Sequence, residues 1–329
     1  MKRRDFITTA AAAATIGGLL TRAGAATMPV AAQSPRLGAL RAVTIPAPDL
    51  DFIEKAYRTY LGYQTVWRGT VPAETARSWG APAIAGKRVV VMAPSSGDPT
   101  YLRFVEQALP SSYRPLTTYG WNAAELLVAD ADALGERLKG SPFDIIGAPR
   151  MLDGWPTAKA MQVVGPAKEV LYFTHFGPDP KQPELYVPPK AFVDYCFVAI
   201  VGTPDMDAAV ANYASKFSTT SYGTFDIANI IISNANGLPA DTRHKLNTVK
   251  LDNGRMIEVD QFPSVAKFRA KPKGGLPPGI ALVTFDYTGG DGDLNWVGKA
   301  PASTMPPVGG HSTSVLLGTV GEIIEVIRA

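Results

Sequence analysis

Three histidines are among the side chains of this sequence that could ligate a transition metal or move a proton near neutral pH. His175 follows an apolar segment, His244 lies between two basic residues, and His311 follows a pair of glycines. Their spacing matches no metal-binding pattern, so we expect no metal site built on histidine. His311 lies in a Gly- and Pro-rich stretch and is our candidate for acid/base chemistry. The alternative is a solvated loop histidine.

Aromatic side chains and one thiol are the next candidates. Trp79 and Trp121 each lie beside a glycine, where a tryptophan could line the rim of a pocket for a flat ligand. Packing in the core is the alternative. Cys196 is the sole cysteine and lies in the apolar run 192–201. It cannot form an internal disulfide, and we interpret it as a buried small hydrophobe.

An internal repeat indicates which elements must position these residues. Pro48-Asp49-Leu50-Asp51 is followed by Tyr57, and Pro204-Asp205-Met206-Asp207 is followed at the same spacing by Tyr213. Each segment comes directly after an apolar, β-branched run, which predicts a strand. The aspartates precede amphipathic segments, where an aspartate caps a helix. The repeated unit is therefore a strand, a capped helix and further strands.

Weaker copies of this unit begin at residues 124–128, which are followed by Asp130, and at residues 280–285. Four units therefore fill the chain, and the proline-rich stretch 178–189 separates the first pair from the second. The Gly- and Pro-rich insert 288–311 predicts a long loop near a site. Strand-like segments close the units at 89–92, 101–105, 169–173, 248–251, 256–259 and 323–327.

Three segments carry a resemblance to a known family: Val43-Thr44-Ile45-Pro46-Ala47-Pro48-Asp49-Leu50, Tyr57-Arg58-Thr59-Tyr60-Leu61-Gly62-Tyr63 and Trp79-Gly80-Ala81-Pro82. With the four units, they make the chain resemble the vicinal oxygen chelate superfamily of glyoxalases, bleomycin-resistance proteins and extradiol dioxygenases. This resemblance implies an α+β fold of four βαβββ modules paired into two cup-shaped domains. Each cup would hold a small molecule. We expect the first two-module domain at residues 36–177, a linker at 178–190 and the second two-module domain at 191–329.

Catalytic members of that superfamily hold a divalent ion with histidines on the first strands of modules and with Glu or His on the last strands. In this chain the resemblance assigns the first-strand positions to Ala42, Ala123, Val198 and Leu282. None of these side chains can bind a metal, so we expect no histidine metal site and predict no cofactor. A divalent ion held by carboxylates stays an alternative.

The resemblance places Arg103 and Tyr172 at the last-strand positions of the first cup, and strand alternation turns Glu125 to the same face as Ala123. A guanidinium, a phenol and a carboxyl group in an apolar pocket would suit an anionic or phenolic ligand. The alternative is an internal ion pair between Arg103 and Glu125 that fills the cup.

For the second cup, the resemblance places Glu258 and Glu325 at the last-strand positions, facing each other across the site. Paired carboxylates can do acid/base work, because their repulsion in a dry site raises the pKa of one of them. They could also hold Mg²⁺ or Ca²⁺. The alternative is that they pair with Arg255 or Arg328. His311 could close over this cup.

The first residues indicate export. Lys2-Arg3-Arg4-Asp5-Phe6-Ile7 places a twin arginine before an Ala-rich stretch, and Ala23-Gly24-Ala25 offers a cleavage site. We therefore expect a twin-arginine signal peptide at residues 1–26, a periplasmic location and no membrane span after cleavage. The formal net charge of +3 is spread along the chain and forms no basic stripe, so nucleic acid is not expected as a partner.

Taken together, these patterns favour an exported protein, monomeric or homodimeric, that acts on a small molecule without the usual metal site. One hypothesis is a lyase- or isomerase-type enzyme that uses Glu258, Glu325 or His311 for proton transfer on an aromatic or carboxylated compound. A second is a ligand-binding or sequestering protein without catalysis. A third is a dioxygenase or lyase whose divalent metal is held by carboxylates.

Overall fold

The structure is a computed structural model that describes residues 36–152, 155–178, 188–290 and 294–328. The expected signal peptide at 1–26 and most of the linker at 178–190 lie outside the described residues. No helix among the described residues is both long enough and apolar enough to cross a membrane.

The first two units of the repeat fill the chain up to residue 176. The first unit contains β1 (Leu37–Ala47), α1 (Leu50–Ala56) with a π-helical turn (Tyr57–Leu61), β2 (Gln64–Thr70), α2 (Ala73–Ser78), a 3-10 turn (Pro82–Ile84), β3 (Arg88–Ala93) and β4 (Tyr101–Glu106). The second unit contains β5 (Thr118–Val128), α3 (Ala131–Leu138), β6 (Asp144–Leu152), β7 (Trp155–Val164) and β8 (Val170–Phe176).

The last two units follow the linker. The third contains β9 (Val193–Thr203), α4 (Met206–Phe217), β10 (Ser221–Ala228), α5 (Ile230–Ala235), β11 (Arg243–Lys250), a 3-10 turn (Asp252–Gly254), β12 (Met256–Gln261) and β13 (Lys267–Phe268). The fourth contains β14 (Leu282–Tyr287), β15 (Gly298–Ala300), β16 (Ser312–Leu317) and β17 (Ile323–Arg328). Within its described residues the fourth unit has no helix after its first strand. The insert expected at 288–311 holds β15.

Aspartate caps begin three of the helices, as the sequence predicts. The side chains of Asp49, Asp130 and Asp205 accept hydrogen bonds from the backbone N–H groups of Phe52, Ala133 and Ala208. Each cap satisfies a backbone donor that the first helical turn leaves free. The caps therefore fix the point at which the chain leaves each first strand and turns into a helix.

The strands form two curled sheets, and the pairing of the units differs from the expected one. One sheet has the order β15-β16-β17-β14-β1-β4-β3-β2, which joins unit one to unit four. The other has the order β10-β11-β12-β9-β5-β8-β7-β6, which joins unit two to unit three. We expected neighbouring units to share a cup, but β1 pairs with β14, and β5 pairs with β9. The domain boundaries at 36–177 and 191–329 stay a prediction.

Alternation along the strands divides the apolar side chains into one shared core and two cup interiors. The shared core contains one face of both sheets together with side chains of α1, α3 and α4. In the structure, therefore, the first cup is formed by the sheet that joins units one and four, and not by units one and two as expected. The second cup is formed by the sheet that joins units two and three. Separate apolar clusters line the two cups.

Two equivalent hydrogen bonds cross between the sheets inside the shared core. The hydroxyl of Tyr57 donates to Oε1 of Glu169 at 2.5 Å, and that of Tyr213 donates to Oε1 of Glu322 at 3.2 Å. The tyrosines occupy the same position of the repeat, and each glutamate directly precedes the last strand of its unit. Burial raises the pKa of both carboxyl groups, that of Glu169 to about 7. Each bond ties a helix of one sheet to a strand of the other.

Candidate functional site

Five side chains at the centre of the first cup form one hydrogen-bond network. Nε of Arg103 donates to Oγ1 of Thr44 at 2.8 Å, and its Nη2 donates to Oε2 of Glu325 at 2.7 Å. The hydroxyl of Thr284 donates to the same carboxylate oxygen at 2.7 Å. Trp79 supplies the second carboxylate oxygen with a hydrogen bond from Nε1, also at 2.7 Å. These groups come from four neighbouring strands and from the residue after α2.

The electrostatics of this network keep its two charges paired. Arg103 and Glu325 are both fully buried, and the guanidinium carbon lies 4.5 Å from the centre of the Trp79 ring. Burial alone would raise the pKa of Glu325, but Arg103, Thr284 and Trp79 outweigh it, and the pKa lies below its ordinary value. The carboxyl group is therefore ionised and committed to the guanidinium. The centre of the first cup is filled by the protein's own charges.

Both sheets repeat one strand order and register, so each position of the first cup has an equivalent in the second. The residues at these equivalent positions differ. The equivalent pairs, with the residue of the first cup named first, are Thr44 and Ile200, Arg103 and Glu258, Thr284 and Glu125, and Glu325 and Tyr172. The cation of the first cup is thus replaced by an acid, and the acid is replaced by a phenol.

Tyr172 is a buried phenol at the centre of the second cup, with 7% of its surface exposed. Burial raises its pKa well above the ordinary value, and the charges of Asp260, Glu258 and Glu125 raise it further, while the side chain of Asn229 opposes the rise. The phenol therefore stays protonated at neutral pH, and Glu125 is its register partner on the neighbouring strand β5. Glu125 also accepts a hydrogen bond from the hydroxyl of Thr174.

Solvent reaches polar groups at the centre of the second cup, whereas it does not reach the equivalent groups of the first. Glu125 and Glu258 are partly exposed, as is Gln162 on the strand next to Tyr172. The equivalents of Glu125 and Glu258, Thr284 and Arg103, are fully buried. Apolar side chains line the second cup around these groups, including Phe197, Val198, Ile200, Ile231, Ile232 and Phe262. Charged groups at the base of an apolar, partly open cup form a common kind of small-molecule site.

Comparison with solved structures places this architecture. Glyoxalase I from Zea mays is similar over 88% of this chain and 92% of its own, with a TM-score of 0.56 and 11% identity. A putative dioxygenase from Bacillus subtilis is similar over 90% of this chain and 86% of its own, with a TM-score of 0.58 and 12% identity. No family model and no curated protein matches the sequence.

The chain has the vicinal oxygen chelate fold. At this level of identity, the likeness establishes the architecture and not the chemistry. The resemblance in the sequence and the fold of paired modules therefore agree, and the α+β class is confirmed.

The side chains present do not fit the metal that this superfamily implies. In the first cup, the last-strand positions hold Arg103 against Glu325, and a guanidinium cannot ligate a cation. In the second, the last strands contribute Glu258 and Tyr172, whose phenol stays protonated. No group of three or more His, Cys, Asp or Glu side chains in the described ranges is arranged to hold an ion.

The structure separates the residues that the sequence grouped in one cup. Arg103 lies in the first cup, whereas Glu125 and Tyr172 lie in the second, so the three side chains do not converge as expected. The alternative, an Arg103–Glu125 ion pair, is also wrong, because Arg103 pairs with Glu325. Likewise Glu258 and Glu325 do not face each other, because β12 and β17 belong to different sheets. The physical reason is the joining of unit one to unit four across β1 and β14.

The remaining candidates also have defined places. Trp121 lies in the shared core, where its Nε1 donates to the carbonyl oxygen of Ile323 at 2.8 Å, so it lines neither cup. Trp79 lines the first cup but is committed to Glu325. His311 is exposed in the insert, next to β16.

Two further side chains with possible chemistry are buried. His244 lies on β11, and its Nε2 lies 2.9 Å from the hydroxyl of Ser233 on α5. Cys196 is buried as expected, and burial raises the pKa of its thiol to about 12.

Sequence reasoning missed the two buried glutamates that bind Tyr57 and Tyr213. A signal was present, because Glu169 and Glu322 each follow a glycine by four residues, at Gly165 and Gly318. A Cβ atom on Gly165 would lie 1.9 Å from Oε1 of Glu169, and one on Gly318 would lie 1.7 Å from Oε1 of Glu322. The glycines leave room for the carboxylates.

Proposed function

We propose that this protein binds a small organic molecule in the second cup. The observation that carries the proposal is the polar centre of this cup, where Glu125 is the register partner of the buried phenol Tyr172 and where Glu125 and Glu258 are partly exposed. The equivalent groups of the first cup neutralise each other out of contact with solvent. A site for a ligand needs polar groups that a ligand can reach, and the second cup has them.

We further propose that the site transfers protons, in a lyase- or isomerase-type reaction. Tyr172 stays protonated, so it can donate a hydrogen bond or a proton to a ligand atom. Glu258 lies on the neighbouring part of the same face and can accept a proton from the ligand as a carboxylate. An acid and a base on one apolar surface support this chemistry. Binding without turnover is the alternative, and measurements of binding and of proton exchange separate the two.

A melting-temperature screen tests the binding proposal. A ligand that binds the folded state raises the melting temperature by mass action. We expect compounds with an apolar ring to stabilise the wild type, and Tyr172→Phe and Glu258→Gln to weaken that effect. Glu136→Gln, which changes an exposed helical glutamate, is the matched control and should leave the effect unchanged. If a ligand raised the melting temperature of both variants as much as that of the wild type, the ligand site would lie outside the second cup.

Turnover distinguishes enzyme from binding protein once a ligand is known. We expect Glu258→Gln to abolish loss of a ligand proton to solvent, followed as deuterium exchange by NMR, while the ligand still binds. If the ligand binds and no exchange or conversion occurs in the wild type, the protein is a binding module.

We also propose that the protein is exported to the periplasm, which the Arg3-Arg4 pair and the Ala23-Gly24-Ala25 segment support. Expression of the full chain in a bacterium with twin-arginine export, followed by fractionation, tests this. We expect a periplasmic product that begins near residue 26 and is lost when both arginines are changed to lysine. A cytoplasmic product with its first residues intact would contradict the proposal.

A further inference from the structure

We propose that one surface of this protein binds anionic phospholipid membranes peripherally, with the ring of Phe268 entering the headgroup region and neighbouring lysines facing the lipid phosphates. Three segments form this surface, which we name the basic surface: residues 79–87, 107–124 and 261–285. A membrane contact here is a further activity of the protein, and it does not depend on which cup holds the ligand.

The apolar part of the basic surface is the first observation. Phe268 is 69% exposed, which is more than any other large apolar side chain among the described residues. Val265, three residues before it, is 54% exposed. Apolar surface of this size is unfavourable in water, and an apolar point that is rimmed by polar residues marks a contact with a membrane or a partner.

The segment that carries Phe268 is held in place from behind. β13 pairs with the start of β5, and there the rings of Phe268 and Tyr119 meet edge to face with their centres 5.3 Å apart. The next residue, Arg269, anchors the segment. Its Nε donates to Oγ1 of Thr118 at 2.8 Å, and its Nη1 donates to the carbonyl oxygen of Trp121 at 2.7 Å. Binding through Phe268 therefore requires no ordering of a loop, which would oppose it.

Charge is the second observation. The three segments contain no aspartate or glutamate, and hydrogen bonds join them. The N–H of Ala83 donates to the carbonyl oxygen of Gly274, and that of Lys267 donates to the carbonyl oxygen of Thr117. Five exposed basic side chains belong to these segments: Lys87, Arg114, Lys267, Lys271 and Lys273.

These five cations are available to an anionic partner. None of them forms a salt bridge with another described residue. The formal net charge of the whole chain is only +3, so acidic residues outnumber basic ones in the rest of the chain. The segments are far apart in the sequence, and for this reason the charge looks evenly spread there. The fold gathers it on one surface.

The combination of lysines with an apolar point favours a membrane over a protein partner. Protein–protein interfaces are depleted in lysine, whereas the residues next to Val265 and Phe268 include three exposed lysines. At a membrane, lysines keep their charged ends in water beside the lipid phosphates while an aromatic ring enters the interface. The basic surface offers both kinds of contact.

Co-sedimentation with phospholipid vesicles tests the inference. Wild type and variants are purified in the same form, with the same first residue, so that a difference between them measures the contribution of the basic surface. We expect binding to vesicles made of equal parts of phosphatidylglycerol and phosphatidylcholine, and little binding to vesicles of phosphatidylcholine alone. Added salt should weaken the binding, because it screens exposed charges.

Two variants separate the charged contact from the apolar one. The triple change Lys267→Gln, Lys271→Gln and Lys273→Gln should reduce the membrane partition coefficient about a hundredfold, since each lysine near an anionic surface contributes about fivefold. Phe268→Ala should reduce it about tenfold, because the ring no longer leaves water. Both variants should fold as the wild type does, because the changed side chains are exposed, and circular dichroism checks this.

Matched controls change the same residue types elsewhere. The triple change Lys55→Gln, Lys139→Gln and Lys245→Gln removes the same charge from other exposed positions, and Phe52→Ala removes an exposed ring from α1. Both controls should bind vesicles as the wild type does.

A fluorescent reporter tests insertion directly. The emission of Phe268→Trp should shift to shorter wavelength on anionic vesicles, because the indole leaves water. Val66→Trp, at a half-exposed residue of β2, should show no such shift.

Three results would overturn the inference. The first is equal binding to the two kinds of vesicle, and the second is an equal loss of binding in the control triple variant. The third is no vesicle binding by the wild type. If the wild type then formed dimers in sedimentation velocity and Phe268→Ala did not, the basic surface would be a contact between two copies of this chain.

Discussion

Arg103 and Glu325 lie 2.7 Å apart, at the last-strand positions of units one and four, with neither side chain exposed to solvent. Their guanidinium and carboxylate occupy the centre of the first cup, where Thr44, Thr284 and Trp79 form further hydrogen bonds with them. The pair fills the first cup with the protein's own charges, and for this reason we propose the second cup as the ligand site.

Removal of one partner of this pair should destabilise the protein strongly. Arg103→Met leaves a carboxylate without its cation in a dry site, and we expect the free energy of unfolding to fall by about 3–5 kcal/mol. The double change Arg103→Met with Glu325→Leu removes both charges, and it should recover most of that loss, to within about 2 kcal/mol of the wild type. Urea denaturation at neutral pH measures both values.

The control for this pair is Arg77→Met, which breaks an exposed contact with Glu74. It should cost about 1 kcal/mol or less. A double variant that is less stable than either single variant would show that the two charges are not coupled in the way their distance indicates.

Glu169 should make stability depend on pH. Burial raises the pKa of its carboxyl group from 4.5 to about 7, so the folded state binds a proton more tightly than the unfolded state. Stability from this group is therefore greatest below pH 4.5 and decreases as pH rises through the window from 4.5 to about 7. Glu169→Gln should remove this decrease, which is on the order of 3 kcal/mol.

Chemical denaturation at pH 5 and pH 8 measures the effect of that change. Glu136→Gln, at an exposed glutamate, should leave the pH dependence of the wild type intact. If Glu169→Gln and the wild type lost the same stability between the two pH values, Glu169 would not be the group responsible.

The hydrogen bond that Tyr213 donates across the sheets should stabilise the folded protein. Tyr213→Phe keeps the ring but leaves a buried carboxyl group of Glu322 without one donor. We expect a loss of about 1–3 kcal/mol in the free energy of unfolding, and a similar loss for Tyr57→Phe at the equivalent position. Tyr222→Phe, at a partly exposed tyrosine, is the control and should change stability little. Equal effects of all three changes would mean that the buried hydroxyls contribute no more than an exposed one.

Local features of the fold could be predicted from the sequence. The aspartate caps at Asp49 and Asp205, and the strands before them, follow from short-range patterns that the chain repeats. The partner of each unit could not be predicted this way. The four first strands are alike in pattern, so alternation alone allows β1 to pair with β5 as well as with β14.

Because the pairing of the units could not be predicted, the grouping of the candidate site residues could not be predicted either. Arg103, Tyr172, Glu258 and Glu325 are all last-strand residues that face a cup, but which of them share a cup depends on the pairing of units.

Crystals soaked with a library of small aromatic fragments, including amines, alcohols and acids, would compare the two cups in a single experiment. We expect fragments to bind in the second cup, within hydrogen-bond distance of Tyr172 or Glu258, and the Arg103–Glu325 pair to remain intact with no fragment between its two side chains. Fragments bound in the first cup with that pair opened, and none in the second cup, would contradict the assignment of the site.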